Sequence, residues 1–210
     1  MTNTATVMTK EEVVTKMEEQ ITQLETALDV VEAKLQEKHD AQMAGEQAVQ
    51  EMKEQIVTLK EEMNQQTELA SAKKLLAKAE SIEKDVQLQE SLNKGIGAKY
   101  KEELLELFRV FFVADRDAGR MYKETEKAVI LQMSINTAEE DEATLLGFVH
   151  RINGAFSEGR SAYIRAGFAT ESDRISTATG THVHLGRMGY STKATELKNK
   201  MREIRNYMGI

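Results

Sequence analysis

The chain has no cysteine, no proline and no tryptophan among its 210 residues. Without cysteine it can form neither disulfides nor thiolate metal sites. Without proline it lacks the strongest breaker of helices. No apolar run approaches the roughly 20 residues that a membrane span needs, and Met1–Met8 has neither the basic region nor the apolar core of a secretion signal. These absences predict a largely helical, soluble protein of the cytoplasm, or of a virion if its source is viral.

A heptad pattern extends from Val14 to Gln66 and organises the N-terminal part of the chain. Read in steps of three and four, it is apolar at both ends and passes through Lys38, Gln42 and Gly45 in the middle. Such spacing predicts a coiled coil. The apolar positions that we expect to form an oligomer seam are Val14, Met17, Ile21, Leu24, Leu28, Val31, Leu35, Val49, Met52, Ile56, Leu59 and Met63.

Two arrangements fit this pattern. The helix either continues through its polar centre and pairs with another chain, or turns near residues 39–45 and packs against itself as a hairpin. A loop between independent helices has no reason to preserve heptad phase, so the unbroken phase favours the continuous helix, with the hairpin as the alternative. After Gln66 the phase slips, which resembles a stutter, and Gly95–Gly97 predicts the end of the rod.

The predicted fold class is all-α: a long N-terminal coiled coil, a small helical domain, a Ser/Thr/Gly-rich loop and a C-terminal basic helix. Capping boxes at Thr9–Glu12 and Thr137–Glu140 predict two helix starts. Four of the six phenylalanines lie at positions 108, 111, 112 and 148, which predicts the hydrophobic core there. The predicted segments are a flexible lead at 1–8, a rod at 9–94, a helical core at 98–168, a loop region at 169–191 and a basic helix at 192–210.

The charge changes sign along the chain. Residues 1–92 carry 10 basic and 19 acidic side chains, whereas residues 174–210 carry 7 basic and 2 acidic ones. A basic end of this kind could bind an anionic partner, or it could be a solvated face with no partner. The residues that would contact such a partner are Arg187, Lys193, Lys198, Lys200, Arg202 and Arg205.

Candidate chemical sites are weak. His182 and His184 would point to one face of an extended strand, but a metal site normally needs three or four ligands, so no metal is predicted. Arg109, Asp117 and Arg120 belong to a mixed-charge stretch whose spacing favours ion pairs over an anion site. No pair of titratable residues is placed by the sequence for acid and base chemistry, so we expect neither a catalytic residue nor a cofactor.

The sequence therefore favours a non-enzymatic structural protein of a bacterial or bacteriophage assembly. It would self-associate through the coiled coil and contact other proteins through its helical head. The alternative hypothesis is a regulatory adaptor that binds nucleic acid or an acidic protein through the basic C-terminal helix. Nucleic acid is the less favoured partner, because the chain has no helix-turn-helix or zinc-finger pattern.

Overall fold

A computed structural model describes residues 9–169 and 192–208 of the chain. It contains four helices: α1 is Lys10–Asn64, α2 is Leu69–Gln132, α3 is Ala138–Arg165 and α4 is Thr192–Met208. The described residues contain no strand, so the all-α prediction is confirmed. The predicted lead at 1–8, most of the predicted loop, and His182, His184 and Arg187 lie outside the described residues.

The start of α1 agrees with its predicted capping box. The backbone N–H of Thr9 donates to Glu12 Oε2 at 2.8 Å. In return, the N–H of Glu12 donates to the Thr9 hydroxyl at 3.2 Å. Two donors at the helix N-terminus, which have no partner within the helix, are satisfied in this way.

The turn between α1 and α2 lies at residues 65–68 and not near residues 39–45. The backbone N–H groups of Gln65 and Gln66 donate to the carbonyls of Glu62 and Met63, at 3.2 and 3.1 Å. α1 is thus continuous through the polar centre of its heptads, as the unbroken phase predicted. The slip of phase after Gln66 marks a change of direction, so its interpretation as a stutter in one rod was wrong.

Gly45 lies in the middle of α1, where it is buried. A Cβ atom at this position would lie 2.2 Å from Asn93 Oδ1 of α2. The glycine therefore permits a close approach of the two helices and does not form a turn. Gly95 and Gly97 lie inside α2, and a Cβ atom at either position would have no neighbour within 4 Å. The predicted helix end at Gly95–Gly97 was wrong, because α2 tolerates these glycines at a cost of about 1 kcal/mol each.

The chain divides into two compact units. Unit 1 comprises residues 1–32 and 106–210, and unit 2 comprises residues 33–105. α1 and α2 each contribute residues to both units. The predicted boundary between the rod and the core lay at residues 94–98. The division seen here instead crosses α1 after residue 32 and α2 after residue 105.

Unit 2 is an antiparallel pair formed by the second part of α1 and the first part of α2. Salt bridges join Lys53 to Glu90 at 2.8 Å and Lys60 to Glu83 at 2.7 Å. Further along, Lys34 is paired with Glu103 at 2.9 Å. The partner numbers in α2 fall as those in α1 rise, which is the order of an antiparallel hairpin. A coiled-coil character of this packing stays a prediction.

Unit 1 packs α1, α2 and α3 around an aromatic core. Phe108, Phe111, Phe112 and Phe148 are all buried, which confirms the predicted position of the core. The Phe108 ring meets Tyr163 of α3 edge-on, with 4.9 Å between ring centroids. Edge-on pairs of this kind add about 0.5–1.5 kcal/mol beyond the area that they bury.

The two ends of α3 differ in how they are capped. The helix begins at Ala138 as predicted, but Thr137 makes no capping hydrogen bond, and its hydroxyl accepts from Ser134 N–H at 3.1 Å. At the other end Gly167 adopts a φ of 84°, and its N–H donates to the Ile164 carbonyl at 2.9 Å. The Phe168 N–H donates to the Tyr163 carbonyl at 3.2 Å, which completes a Schellman motif.

Candidate interaction surfaces

The predicted seam residues in unit 1 lie inside one chain. Met17, Ile21, Leu24 and Val31 have no exposed surface, and Leu28 is 5% exposed. Val14 lies at the edge of this set and is half-buried. Since their apolar surface is already covered by the same chain, the fully buried residues have none left to offer a second copy. Whether any predicted seam position contacts another chain stays a prediction.

The predicted seam residues in unit 2 have a different environment. Ile56 is 9% exposed, but Leu35, Val49, Met52, Leu59 and Met63 are only half-buried. Two helices shield only the inner side of each other, so the flanks of these side chains remain in contact with water. The hairpin also exposes large apolar residues beside the seam, namely Met43, Val57, Leu69, Leu76, Leu88 and Leu92.

A polar network joins α1 and α2 at the end of the hairpin that lies away from the turn. Tyr100 donates from its hydroxyl to Glu37 Oε1 at 2.9 Å, and Lys34 donates to Glu37 Oε2 at 2.7 Å. The hydrogen bond from Lys34 is the main cause that lowers the pKa of Glu37. The bond to Glu37 raises the pKa of Tyr100. This network fixes the pairing of α1 and α2 through polar contacts.

A groove of about 720 Å³ lies on one face of the hairpin near its turn. Its two walls come from α1 and α2, with Leu59 and Ile82 as half-buried apolar residues between them. The other lining residues are Glu51, Glu54, Gln55, Thr58, Lys78 and Ser81. We call this side of unit 2 the groove face. Sequence reasoning did not find it, because Leu59 was assigned to the seam and the other residues of α1 that line the groove are flanking positions in the heptad pattern.

A second, smaller groove of about 320 Å³ lies between α1 and α2 in unit 1. The hydroxyls of Thr22 and Thr26 donate to backbone carbonyls one turn earlier, at 2.9 and 2.7 Å. With both hydroxyls bonded to their own helix, the polar character of these two side chains is reduced. Val30 and Val110, which also line the groove, are 47% and 53% exposed.

Arg151 of α3 forms ion pairs with α1 that the sequence reasoning did not predict. It donates through Nε and Nη2 to the two oxygens of Glu25 on α1, at 2.9 and 2.7 Å, and it also pairs with Glu18. This paired geometry is the strong form of a charge-assisted hydrogen bond. The bond from Arg151 is the main cause that lowers the pKa of Glu25. The i,i+7 spacing of Glu18 and Glu25 was the available signal, since it places both carboxylates on one side of α1.

The basic C-terminal helix is partly used inside the chain. Lys198 forms an ion pair with Glu142 of α3, and its hydrogen bond is the main cause that lowers the pKa of Glu142. Lys200, Arg202 and Arg205 are exposed. α4 lies in the described part of the chain, but the side chain of Lys193 is outside the described set. Three of the six predicted anion-contact residues therefore lie on exposed surface.

The mixed-charge stretch of α2 contains ion pairs. Arg109 pairs with Glu106 at 2.7 Å, and Asp117 pairs with Arg116 at 3.5 Å and with Arg120 at 3.8 Å. All these side chains are more than one-third exposed. Exposed pairs of this kind contribute about 0–1 kcal/mol each, so they act as a solvated helix face.

Asp115 differs from its charged neighbours, because burial raises the pKa of its carboxyl from 3.8 to about 6. A raised pKa means that the folded state favours the protonated carboxyl over the ionised one. Ionisation of Asp115 therefore lowers the free energy of unfolding. This loss of stability is absent below about pH 4, develops between about pH 4 and 6, and is complete at neutral pH.

We expect Asp115→Asn to stabilise the protein by about 1–2 kcal/mol at pH 7, because the amide has no charge to desolvate. This is less than the full value of the pKa shift, since the side chain is only half-buried. At pH 4 the variant and the parent should be equally stable. Urea unfolding at several pH values measures this difference, with Asp117→Asn as a control that lies on the solvated face. A stabilisation by Asp115→Asn that does not change with pH would contradict the role of ionisation.

Comparison of the chain with protein-family models, with curated protein sequences and with solved structures finds no match. The surfaces described above are therefore the basis for any functional conclusion. Within residues 9–169 and 192–208, no three His, Asp or Glu side chains are grouped so that they could hold a metal ion. The described helices include none that is both long and apolar enough to cross a membrane.

Proposed function

We propose that the protein is a non-enzymatic assembly component that self-associates through the hairpin of unit 2. The observation that carries this proposal is the incomplete burial of the hairpin's own seam. Val49, Met52 and Leu59 are half-buried, whereas the corresponding residues Ile21 and Leu24 in unit 1 are fully buried. These residues of one heptad pattern are thus buried within the chain in unit 1 and only partly buried in unit 2.

Large apolar side chains of the hairpin remain in contact with water. Most helix stability in proteins comes from packing of the apolar face, and two helices alone provide one contact line for that packing. The exposed fractions of Leu88 and Leu92 are 60% and 57%. At about 25 cal/mol per Å², covering such side chains in an oligomer would stabilise both the hairpin and the assembly. A self-associating structural protein, of the kind found in bacterial or bacteriophage assemblies, uses surface in this way.

The molar mass in solution tests this proposal. We expect the mass measured by light scattering and sedimentation to rise above the 23.6 kDa of one chain as concentration increases over a hundredfold range. Lys200→Ala, an exposed change on α4, should leave this behaviour unaltered.

A mass of one chain at every concentration would contradict self-association. It would favour the adaptor hypothesis, in which the exposed Lys200 and Arg202 of α4 bind a separate anionic partner.

A further inference from the structure

The groove face of unit 2 carries opposite charges on its two walls near the turn. The α1 wall has Glu51 and Glu54, and Glu62 follows two turns after Glu54–Gln55 on the same helix. The α2 wall has Lys78, with Lys74 one turn earlier. Among the described residues, no salt bridge involves any of these five side chains. Glu51 and Glu54 instead accept hydrogen bonds from the side-chain amides of Gln47 and Gln50, at 2.8 and 2.7 Å.

The opposite face of the hairpin is different, because its charges are paired within the chain. It carries the Lys53–Glu90 and Lys60–Glu83 salt bridges. Gln55 follows Lys53 by two residues, and Ser81 precedes Glu83 by two, which is a rotation of about 200° on each helix. The groove face therefore lies away from these salt bridges. Its charges have no salt bridge within the described residues, so they are available for another molecule.

The groove face also offers apolar surface beyond the groove itself. Leu92 follows Ser81 by eleven residues, about three turns along α2, and is 57% exposed. Ala48 precedes Gln55 by seven residues, about two turns along α1, and is half-buried. Beyond the groove, the same side of the hairpin thus presents an alanine on α1 and an exposed leucine on α2. Such an arrangement suits a contact in which α1 lies against the α2 of another molecule.

We infer that the groove face is the dimer contact, and that a second copy of this chain packs on it with α1 of each copy over α2 of the other. This inference rests on the proposed self-association and names its surface. The alternative, α1 over α1, would bring Glu51, Glu54 and Glu62 against the same carboxylates of the partner. Placing α1 over α2 instead, about a twofold axis parallel to the helices, brings Glu62 at the turn end of the acidic wall to the level of Lys74 and Lys78, and the axis repeats the contact.

The size of the face agrees with a stable dimer. The part of α1 in unit 2, residues 33–64, is about 48 Å long. Two adjacent helices are about 20 Å wide, so the face has an area of about 900 Å². A standard interface buries about 800 Å² on each partner. Two hairpins joined in this way form a four-helix bundle, in which the half-buried Leu59 and Ile82 become core residues.

The predicted contact between α1 of one copy and α2 of the other is tested by reversing the charges on one wall of the groove at a time. The first variant is Glu54→Lys with Glu62→Lys, and the second is Lys74→Glu with Lys78→Glu. Each alone places like charges together at both symmetry-related contacts, so we expect the dimer dissociation constant to rise about tenfold or more. An equimolar mixture of the two variants should associate about as tightly as the parent, because attraction is restored at both contacts. The measurement is sedimentation of each variant and of the mixture, with far-UV circular dichroism and thermal unfolding to confirm that each hairpin is folded.

The outcomes separate this inference from the proposed function. If the parent chain self-associates and neither charge reversal weakens it, or if the mixture does not restore it, the groove face is not the contact, although self-association stands. If the parent is monomeric throughout the concentration range, both the proposed function and the groove contact are refuted. Combining all four changes in one chain is a further check, because this variant should again associate with itself.

Discussion

Leu24→Asp is expected to unfold unit 1, not merely to separate copies of the chain. Leu24 has no exposed surface. Loss of a buried leucine costs about 2–5 kcal/mol, and the new carboxylate adds several kcal/mol because it is buried without a partner. The sum is comparable with the whole stability of a typical domain, about 5–15 kcal/mol. Urea unfolding followed by circular dichroism measures the loss.

Gln23→Asp is the matched control, because Gln23 is the exposed neighbour of Leu24 on the same helix. It should change stability by less than about 0.5 kcal/mol. The comparison also distinguishes two origins of the heptad pattern. A Leu24→Asp variant that keeps its thermal stability but has a lower mass would show that this seam joins separate chains, contrary to the packing within unit 1.

Gly159→Ala is expected to destabilise the protein by about 1–3 kcal/mol, the usual cost of overpacking a core. The added Cβ would lie 2.1 Å from Cζ of Phe111, a ring with no exposed surface. The ring cannot move easily, since it packs against Phe112 with 5.3 Å between ring centroids. Urea or thermal unfolding measures the effect.

Gly154→Ala on the same helix is the control for Gly159→Ala. No atom lies within 4 Å of a Cβ at Gly154, so this change should stabilise α3 by about 0.5–1 kcal/mol through helix propensity alone. Phe111→Leu in the Gly159→Ala background should recover part of the lost stability, because the smaller side chain leaves room for the methyl group. Equal effects of the two alanine substitutions would show that Phe111 does not constrain Gly159.

The glycines of α3 also show which helix contacts the sequence could not predict. Gly147 and Gly154 lie seven residues apart on one side of α3, a spacing that by itself suggests a close contact with a neighbouring helix, but a Cβ atom at either position would have no neighbour within 4 Å. The close contact lies at Gly159, outside that spacing. A glycine in a helix has the same local effect whether it faces water or a phenyl ring. Its role depends on the partner helix, which the local sequence does not specify.

The helical class, the Thr9 cap and the phenylalanine core were predictable, because each depends on local spacing or on a strong concentration of apolar residues. The turn at residues 65–68 was not, since it contains neither glycine nor proline, while Gly45, Gly95 and Gly97 lie inside helices. Heptad phase shows that a helix needs a partner along one side. It does not show whether that partner is the same chain, which is why the hairpin and the rod could not be separated.

The division of the chain has a consequence for the order in which it folds. Unit 2 is one continuous segment, whereas unit 1 combines residues from before and after it. During synthesis the hairpin can form as soon as residue 105 is available, but unit 1 must wait for α3. The Lys34–Glu103 ion pair, at 2.9 Å, then holds the ends of the hairpin segment together. This reduces the loop-closure entropy that the assembly of unit 1 has to overcome, so we expect the hairpin to form early and the aromatic core to follow.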